Sequence, residues 1–390
     1  MDIPFLDLEA QYKSIKEEID KKVLEVISSQ RFILGPEVEG LEREVSTYCG
    51  TDFAVGVSSG SDALIISLMA LNIMSGDAVV TTPFTFFATA GAIARLGARP
   101  VFCDIDEASY NICPDRLDEL LVNEIDKKGN SKIKAIIPVH LYGQCADMTP
   151  IMALARKYGL FVVEDAAQAI GAEYSASDGV KKACTFGDMG TLSFFPSKNL
   201  GGFGDGGMVL TDKENLASKL KLLRKHGSSN KYFYDVIGGN FRLDELQAAV
   251  LRIKLKYLES WHKGKRDRAS CYDKLFGSTG LVENGLVQIP ELVNKKIGVK
   301  NYHIYHQYVI RVKRRDNLQK HLRERGIPTA VYYPLSLHLQ KCFTYLGYRK
   351  GDFPESEKAS SEVLALPIYT ELAPEKQEYI VNSIKEFYLT

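Results

Sequence analysis

The chain has 390 residues, of which 45% are hydrophobic and 25% charged, as is typical of ordinary globular proteins of about two domains. Its 49 basic residues balance its 49 acidic residues, which excludes a net field that would draw the chain to nucleic acid or to an anionic membrane surface. No run of about 18 apolar residues could span a bilayer and the start has no signal-peptide core, so we expect no membrane association and a cytoplasmic protein.

The seven cysteines are odd in number and include no C-x-x-C pair. This pattern argues against a disulfide framework and against a structural zinc site. We therefore expect no metal.

Short apolar runs alternate with helix-like segments from about residue 53 to 212. "FAVGVSS" is followed by "DALIISLMAL", and the alternation continues as far as "LFVVED" followed by "AAQAIG". This rhythm predicts an α/β fold with a mostly parallel central sheet covered by helices on both faces. Ligands of such sheets lie beyond the carboxyl ends of the strands, so the residues there are the first candidates for a site.

The pattern changes after residue 242. Apolar residues from Leu243 to Trp261 recur at spacings of three or four and predict one long helix. A strand "HIYHQYVIRV", a helix "RDNLQKHLRERG" with Asp316 as its N-cap, and a last helix opened by Pro374 follow. We predict a large domain over residues 1–242, which begins with a helix at about 10–28, and a linking helix with a small α+β domain over 243–390.

The turn "SSGSDAL" follows a predicted strand and opens a predicted helix. The amides of Gly60, Ser61 and Asp62 should point beyond the helix N-terminus, where the helix dipole favours an anion such as phosphate. The alternative is that Ser61 or Asp62 only caps the helix.

Asp165 lies at the end of the apolar strand in "LFVVEDAAQAIG". A partly desolvated carboxylate needs a cation or a hydrogen-bond donor beside it, and a protonated pyridine nitrogen would serve. The alternative is that Asp165 caps a helix that begins at Ala166.

Lys198 lies in "SFFPSKNLGGFGDGGMV", between the strand-like segments "TLSFFP" and "GGMVLT". A lysine carried on a turn between buried strands has its ammonium form disfavoured, and the neutral amine is the state that forms an imine with an aldehyde. The glycines at 202, 204 and 207 match the dinucleotide fingerprint G-x-G-x-x-G, but a strand-like run follows them instead of the required helix. This excludes a nicotinamide-dependent oxidoreductase built on that motif.

An anion-binding helix N-terminus, a strand-end aspartate and a lysine 33 residues later together match what pyridoxal 5′-phosphate (PLP) requires. The sequence resembles the DegT/StrS family of sugar aminotransferases, which have the fold of aspartate aminotransferase, fold type I of the PLP enzymes. The resemblance covers almost the whole chain and is carried by "FLDLEAQY", "SSGSDAL", "PFTFFATAGAI", "PVHLYGQ", "VVEDAAQAIGA", "SFFPSKNLGGFGDGGMV", "GGNFRLDELQAAVL" and "YYPLSLHLQ".

The resemblance implies a role for each matching residue. Lys198 would form the internal aldimine with PLP and move the proton during catalysis. Asp165 would hold the pyridine nitrogen protonated, Phe86 would stack on the ring, and Gln168 would lie beside the ring oxygen. The phosphate would be held by Gly60, Ser61 and Ser193, and by Asn240 from the other chain of a homodimer.

The resemblance also implies the reaction. L-Glutamate would donate its amino group, and a keto-sugar attached to a nucleotide would accept it; the family's dehydratases carry histidine in place of the lysine. Arg242 lies where relatives that act on uronic-acid sugars place a carboxylate-binding arginine, which favours a UDP-linked 3-keto sugar such as UDP-2-acetamido-2-deoxy-3-oxo-glucuronate over the alternative, a dTDP-linked 3-keto-6-deoxyhexose. Further candidate substrate contacts are His226, His306 and His338. The alternative outside enzymology is a regulatory protein on the same fold.

Overall fold

The computed structural model describes residues 3–127 and 132–389. Its strands are, in chain order, β1 Phe53–Val57, β2 Ala78–Thr81, β3 Arg99–Phe102, β4 Ile133–Ile136, β5 Phe161–Asp165, β6 Glu173–Ala176, β7 Gly179–Lys182, β8 Met189–Ser193, β9 Gly207–Thr211, β10 Ser228–Asn230, β11 Phe233–Tyr234, β12 Val287–Gln288, β13 Tyr308–Val312 and β14 Val363–Leu366. Its α-helices are α1 Leu8–Ser29, α2 Pro36–Cys49, α3 Gly60–Ala70, α4 Phe87–Arg95, α5 Pro114–Leu121, α6 Met148–Tyr158, α7 Glu214–Leu223, α8 Glu245–Leu255, α9 Leu258–Gly277, α10 Arg315–Glu324, α11 Pro354–Glu362 and α12 Pro374–Leu389.

A seven-stranded sheet with the order β1-β9-β8-β5-β4-β2-β3 forms the centre of the molecule. Only β9 runs antiparallel to its neighbours, and the other pairings in this sheet are parallel. Helices cover both faces of the sheet, and alternate residues of each strand enter the core on one face or the other. Val80 and Val162 pack with α2, α5, α6 and α8, whereas Val79 and Val163 pack with α3, α4 and α7. The predicted α/β fold is confirmed.

A smaller antiparallel sheet, β12-β13-β14, lies in the C-terminal part of the chain. It packs with α9, α10 and α12 around a core of its own that includes Tyr272, Tyr308 and Ile380. Helix α1 packs on α8 and α9 through Ile15 and Ile19. The division of the chain at residues 242 and 243 remains our proposal.

The helix predicted at "AAQAIG" is wrong. After β5 the chain makes two short turns, in which the amide of Ala169 donates to Ala166 O and the amide of Ala172 donates to Ala169 O, both at 2.9 Å. Gly171 then adopts φ +78°, and a Cβ there would lie 2.2 Å from the hydroxyl of Tyr48. A glycine in this conformation ends the turn where a helix would need to continue.

The single long helix predicted from Leu243 is also wrong, because α8 ends at Leu255 and α9 begins at Leu258. The amide of Tyr257 donates to Lys254 O at 3.0 Å, a tightened turn that preserves the apolar spacing while it breaks the helix. Asp316 is not an N-cap: it lies inside the first turn of α10 and pairs with Arg315 at 2.6 Å.

None of the described helices is both long and apolar enough to cross a membrane. Within residues 3–127 and 132–389, no group of three or more His, Cys, Asp and Glu side chains is arranged to hold a metal ion.

Candidate active site

Asp165, the last residue of β5, is buried, and both of its carboxylate oxygens accept hydrogen bonds. Oδ2 accepts from Thr89 Oγ1 of α4 at 2.7 Å, and Oδ1 accepts from the amide of Ala167 at 3.2 Å. Because no helix follows β5, the reading of Asp165 as a helix cap is wrong. The structure leaves a buried carboxylate at the carboxyl end of a central strand, where ligands of such sheets bind.

Lys198 lies on the turn that follows β8, and its amide donates to Phe195 O at 2.8 Å. The residue keeps part of its surface exposed, but burial of its amine lowers the pKa from 10.5 to about 8, while the charge of Asp165 partly opposes this shift. Asp165 is thus an acidic neighbour that the local sequence around Lys198 does not reveal. The two residues with the strongest claim to PLP chemistry lie at the same end of β5 and β8.

The N-terminus of α3 lies directly against the end of β8. Ser59 caps the helix, since its side chain accepts from the amide of Asp62 at 3.0 Å. A Cβ at Gly60 would be 2.6 Å from Ser193 Cβ, and a Cβ at Gly207 would be 2.8 Å from the Gly60 amide nitrogen. Only glycines permit this close approach of backbone and side chain, which brings Ser193 to the amides at the positive end of the helix dipole. The next residue, Ser61, is exposed.

Phe86, which precedes α4, is 57% exposed, so its side chain is accessible to a ligand. Its ring centroid is 6.3 Å from that of Tyr333. Gln168 contacts the same tyrosine, because its Nε2 donates to the Tyr333 hydroxyl at 3.1 Å while its Oε1 accepts from the amide of Tyr142 at 2.7 Å. Tyr333 therefore joins the residues predicted to lie over and beside the ring.

Asn240, Arg242 and His226 share one surface segment. Arg242 Nε donates to Asn240 Oδ1 at 2.7 Å, and the amide of His226 donates to Gly239 O at 2.9 Å. Asn240 and His226 are exposed. The same segment contains β10 and β11. Large side chains on β11 and beside it are exposed: Tyr232, Phe233, Tyr234 and Ile237.

The other two candidate histidines are buried. His306 Nδ1 lies 3.3 Å from Oδ1 of Asn199, the residue that follows Lys198. Burial, together with the charges of Lys198 and Lys265, lowers the pKa of His306 well below 6.5. His338 Nε2 is 3.1 Å from Glu357, and its ring packs on Phe353. The contacts of His338 are those of a packing residue, and its role toward a substrate stays an untested prediction.

Sequence reasoning missed Thr89 and Tyr333. Thr89 lies in the first turn of α4, three residues after Phe86, so its closeness in the sequence to a predicted site residue was a usable signal. Tyr333 lies in "YYPLSLHLQ", a segment that carries the family resemblance, but nothing local assigns it to the ring of Phe86.

Comparison with known proteins decides the family. Residues 13–385 match the model of the DegT/DnrJ/EryC1/StrS aminotransferase family. The chain belongs to that family. This match and the similar solved structures confirm the predicted resemblance, the fold type and the assignment as an aminotransferase. Members of the family depend on PLP.

Among the relatives of this DegT-family chain, a "pleiotropic regulatory protein" of Geobacillus stearothermophilus is 48% identical over 388 residues, which cover 100% of the chain and 99% of the relative. A UDP-N-acetyl-3-dehydro-alpha-D-glucosamine 3-aminotransferase of Acidithiobacillus ferrooxidans is 41% identical, with 98% and 97% covered. The crystal structure of S. venezuelae DesV in complex with a ketimine intermediate is similar with a TM-score of 0.90 and 37% identity, and covers 99% of this chain and 98% of its own.

The residues present fit the cofactor of the DegT family. Lys198 offers an amine of lowered pKa, Asp165 a buried carboxylate, and Phe86 an accessible aromatic ring. The contact of Gly60 with Ser193 forms a close-packed helix N-terminus suited to a phosphate. The amine, the carboxylate, the aromatic ring and the anion site belong to four different segments of the chain, and each matches a separate part of PLP.

Proposed function

We propose that this chain transfers the amino group of L-glutamate to the keto group of a nucleotide-linked sugar, with PLP bound covalently to Lys198 Nζ. The observation that carries this proposal is that Lys198 and Asp165 meet at the carboxyl ends of β8 and β5, where burial lowers the pKa of the Lys198 amine to about 8. At neutral pH a usable fraction of this amine is unprotonated, whereas an ordinary lysine is almost fully charged.

The chain's own residues divide the work. Bound PLP supplies a carbonyl carbon that carries the amino group between substrates and a ring that withdraws electrons from the reacting carbon. Asp165 would hold the ring nitrogen by a hydrogen bond, and Thr89 donates to its carboxylate and fixes it. Phe86 and Tyr333 would exclude water from one face of the ring, and the Lys198 amine, once free, would serve as the base that holds the proton removed from the substrate carbon.

The test of this proposal is direct. We expect the purified protein to be yellow, to lose the colour with L-glutamate, and to lose the covalent link in Lys198→Ala. Lys213→Ala is the matched control, because Lys213 is a lysine of the same domain that pairs with Asp188 on the surface. A colourless protein that PLP cannot reconstitute would refute the proposal and favour a regulatory role, the role named for the relative from Geobacillus stearothermophilus.

We further propose a UDP-linked 3-keto sugar as the acceptor, with the 3-oxo-glucuronate derivative as the specific candidate. The relative from Acidithiobacillus ferrooxidans is named for a UDP-linked 3-dehydro sugar, which supports the nucleotide and the ring position. Arg242 uses Nε to bind Asn240, and its two terminal nitrogens are the ends that would form a bidentate pair with a carboxylate. A panel of UDP- and dTDP-linked keto-sugars, assayed with wild type and Arg242→Ala, separates the candidates: a selective loss on the uronic acid supports the role of Arg242, and equal losses refute it.

Finally, we propose a homodimer whose active sites are shared. Exposed aromatic residues next to Asn240 would be buried against a second copy, and Asn240 would then reach the partner's phosphate. Mixing Lys198→Ala with Asn240→Ala tests this, because a mixed dimer would contain one site with both native residues. Recovery of activity on mixing supports sharing; a monomer in solution, or a dimer without recovery, refutes it.

A further inference from the structure

A buried polar cluster lies behind the Lys198 turn and joins three parts of the chain. Asn199 follows Lys198 directly, Lys265 belongs to α9, and His306 precedes β13. Asn199, Lys265 and His306 are each less than 9% exposed. Asn199 Oδ1 is 3.2 Å from Lys265 Nζ and 3.3 Å from His306 Nδ1. Its Nδ2 donates to Ile304 O at 3.1 Å. The Asn199 side chain is therefore held from three directions.

The donors and acceptors of this cluster permit one arrangement. A lysine can only donate, so the Asn199 atom that faces Lys265 must be oxygen, and the amide nitrogen must face the carbonyl of Ile304. His306 then donates from Nδ1, and its Nε2 is left as the acceptor that faces Gln307 Nε2 at 3.4 Å. A neutral His306 satisfies each contact, in agreement with the strong lowering of its pKa by burial and by the two nearby lysines.

The amine of Lys265 is buried without a counter-ion close to it. Within the described part of the chain, no carboxylate lies within ion-pair distance of its Nζ; Glu371, after β14, is the opposite charge that acts on it, and burial lowers its pKa to about 8. Asp7, which precedes α1, and His262, on α9, line the same small cavity as Lys265 and Lys198. A buried ammonium group without a counter-ion costs stability, and an apolar side chain would serve a purely structural role better.

We propose that Lys265 is a positioning residue for Lys198: by its hydrogen bond to Asn199 it fixes the turn from which Lys198 reaches the site. This effect follows from the chain, because Asn199 is the residue after Lys198 and its side chain is anchored by Lys265 and by Ile304 O. The inference rests on the proposed role of Lys198.

The experiment measures Lys198 without cofactor or substrate, so that its failure is distinguishable from failure of the proposed function. The pH dependence of reductive methylation of Lys198 by formaldehyde and cyanoborohydride is followed by mass spectrometry in the full-length, cofactor-free protein. We expect the wild-type midpoint near pH 8 and an upward shift of about 0.5 unit or more in Lys265→Met, because release of the turn would reduce the burial that lowers the pKa of Lys198. In Lys265→Arg the guanidinium can still donate to Asn199, so we expect a return toward the wild-type value. Lys263→Met is the control, since Lys263 is an exposed neighbour on α9 that pairs with Asp267.

A folded Lys265→Met variant with the wild-type profile overturns the proposal, and so does a wild-type midpoint near 10.5. If Lys265→Met does not fold, Asn199→Ala decides, because it removes the bridge and keeps both lysines. We expect it to speed methylation above pH 9 by about 3-fold or more, since the turn is then released; an unchanged rate overturns the proposal. In the loaded enzyme, Lys265→Met should lower kcat by about 10-fold with little change in the KM for glutamate, because no substrate contact is removed.

Discussion

Glu164 and Asp165 are neighbours on β5 whose carboxylates serve opposite faces of the sheet. Glu164 lies on the face of Val162, and Asp165 on the face of Val163 that α4 covers. The Glu164 carboxylate is fully buried and accepts from the amides of Cys184, Phe186 and Gly187 and from His140 Nε2, all at 2.8 to 2.9 Å. One carboxylate thus stabilises the segment before β8, and the other is left for a ligand.

This relationship predicts different outcomes for two conservative substitutions. Glu164→Gln puts an NH₂ group against backbone donors, and we expect the free energy of unfolding to fall by about 2 to 4 kcal/mol. Asp165→Asn can keep its bond to Thr89, so we expect a change within about 1 kcal/mol but a loss of activity of about 100-fold or more, because a neutral amide cannot balance a protonated ring nitrogen. Urea unfolding of the cofactor-free proteins and a transaminase assay give the two values. Equal losses of stability would contradict the division of roles.

Thr89 should matter for cofactor binding through Asp165. Thr89→Val keeps the side-chain volume but removes the donor to Oδ2, and hydrogen bonds to charged groups are worth about 1.5 to 3 kcal/mol, so we expect PLP affinity to fall by about 10-fold or more. Thr81→Val is the matched control: Thr81 is equally buried but donates to the backbone oxygen of Ile137. Fluorescence titration with PLP measures the affinity. The same affinity for Thr89→Val and wild type would rule out this role.

Features carried by short contiguous patterns were predictable from the sequence. The strand-to-helix turn before α3, the end of β5 and the strands on both sides of Lys198 lie where alternation of apolar segments placed them. The failures follow from backbone geometry that composition does not encode. The apolar residues of 166–172 suit a helix, but Gly171 takes a positive φ and packs against Tyr48, which is more than a hundred residues away in sequence.

The parts of the site that sequence reasoning missed are long-range contacts. Thr89 and Asp165 are separated by 76 residues, and Gln168 and Tyr333 by 165. A single sequence carries no signal for such a pair unless a motif already links its members. For the same reason the sequence could not separate His306, which lies beside the Lys198 turn, from His338, which packs on Phe353.

Gly60 should be intolerant of a methyl group. The Cβ of Gly60→Ala would lie 2.6 Å from Ser193 Cβ and 3.2 Å from its Cα, so either β8 or the first turn of α3 must move. We expect the free energy of unfolding to fall by about 1 to 3 kcal/mol and PLP affinity to fall with it. Gly277→Ala, at the end of α9 where an added Cβ meets nothing within 4 Å, is expected to be neutral or slightly stabilising. Adding Ser193→Gly should restore part of the stability of Gly60→Ala; strictly additive losses would argue against the contact.

The buried amine of Lys254 should make stability depend on pH. Burial lowers its pKa from 10.5 to about 8, so between these values the unfolded chain binds more protons than the folded chain, and the free energy of unfolding rises with pH. Lys254→Met removes this rise; at pH 7 it should stabilise the protein by up to about 3 kcal/mol, less the lost bond from Nζ to Gly201 O. Guanidinium unfolding from pH 7 to 10.5 measures the curves, with Lys263→Met as the exposed control. If the curves of Lys254→Met and wild type run parallel across this window, Lys254 is not the buried titrating group, because its removal would then leave the proton balance of unfolding unchanged.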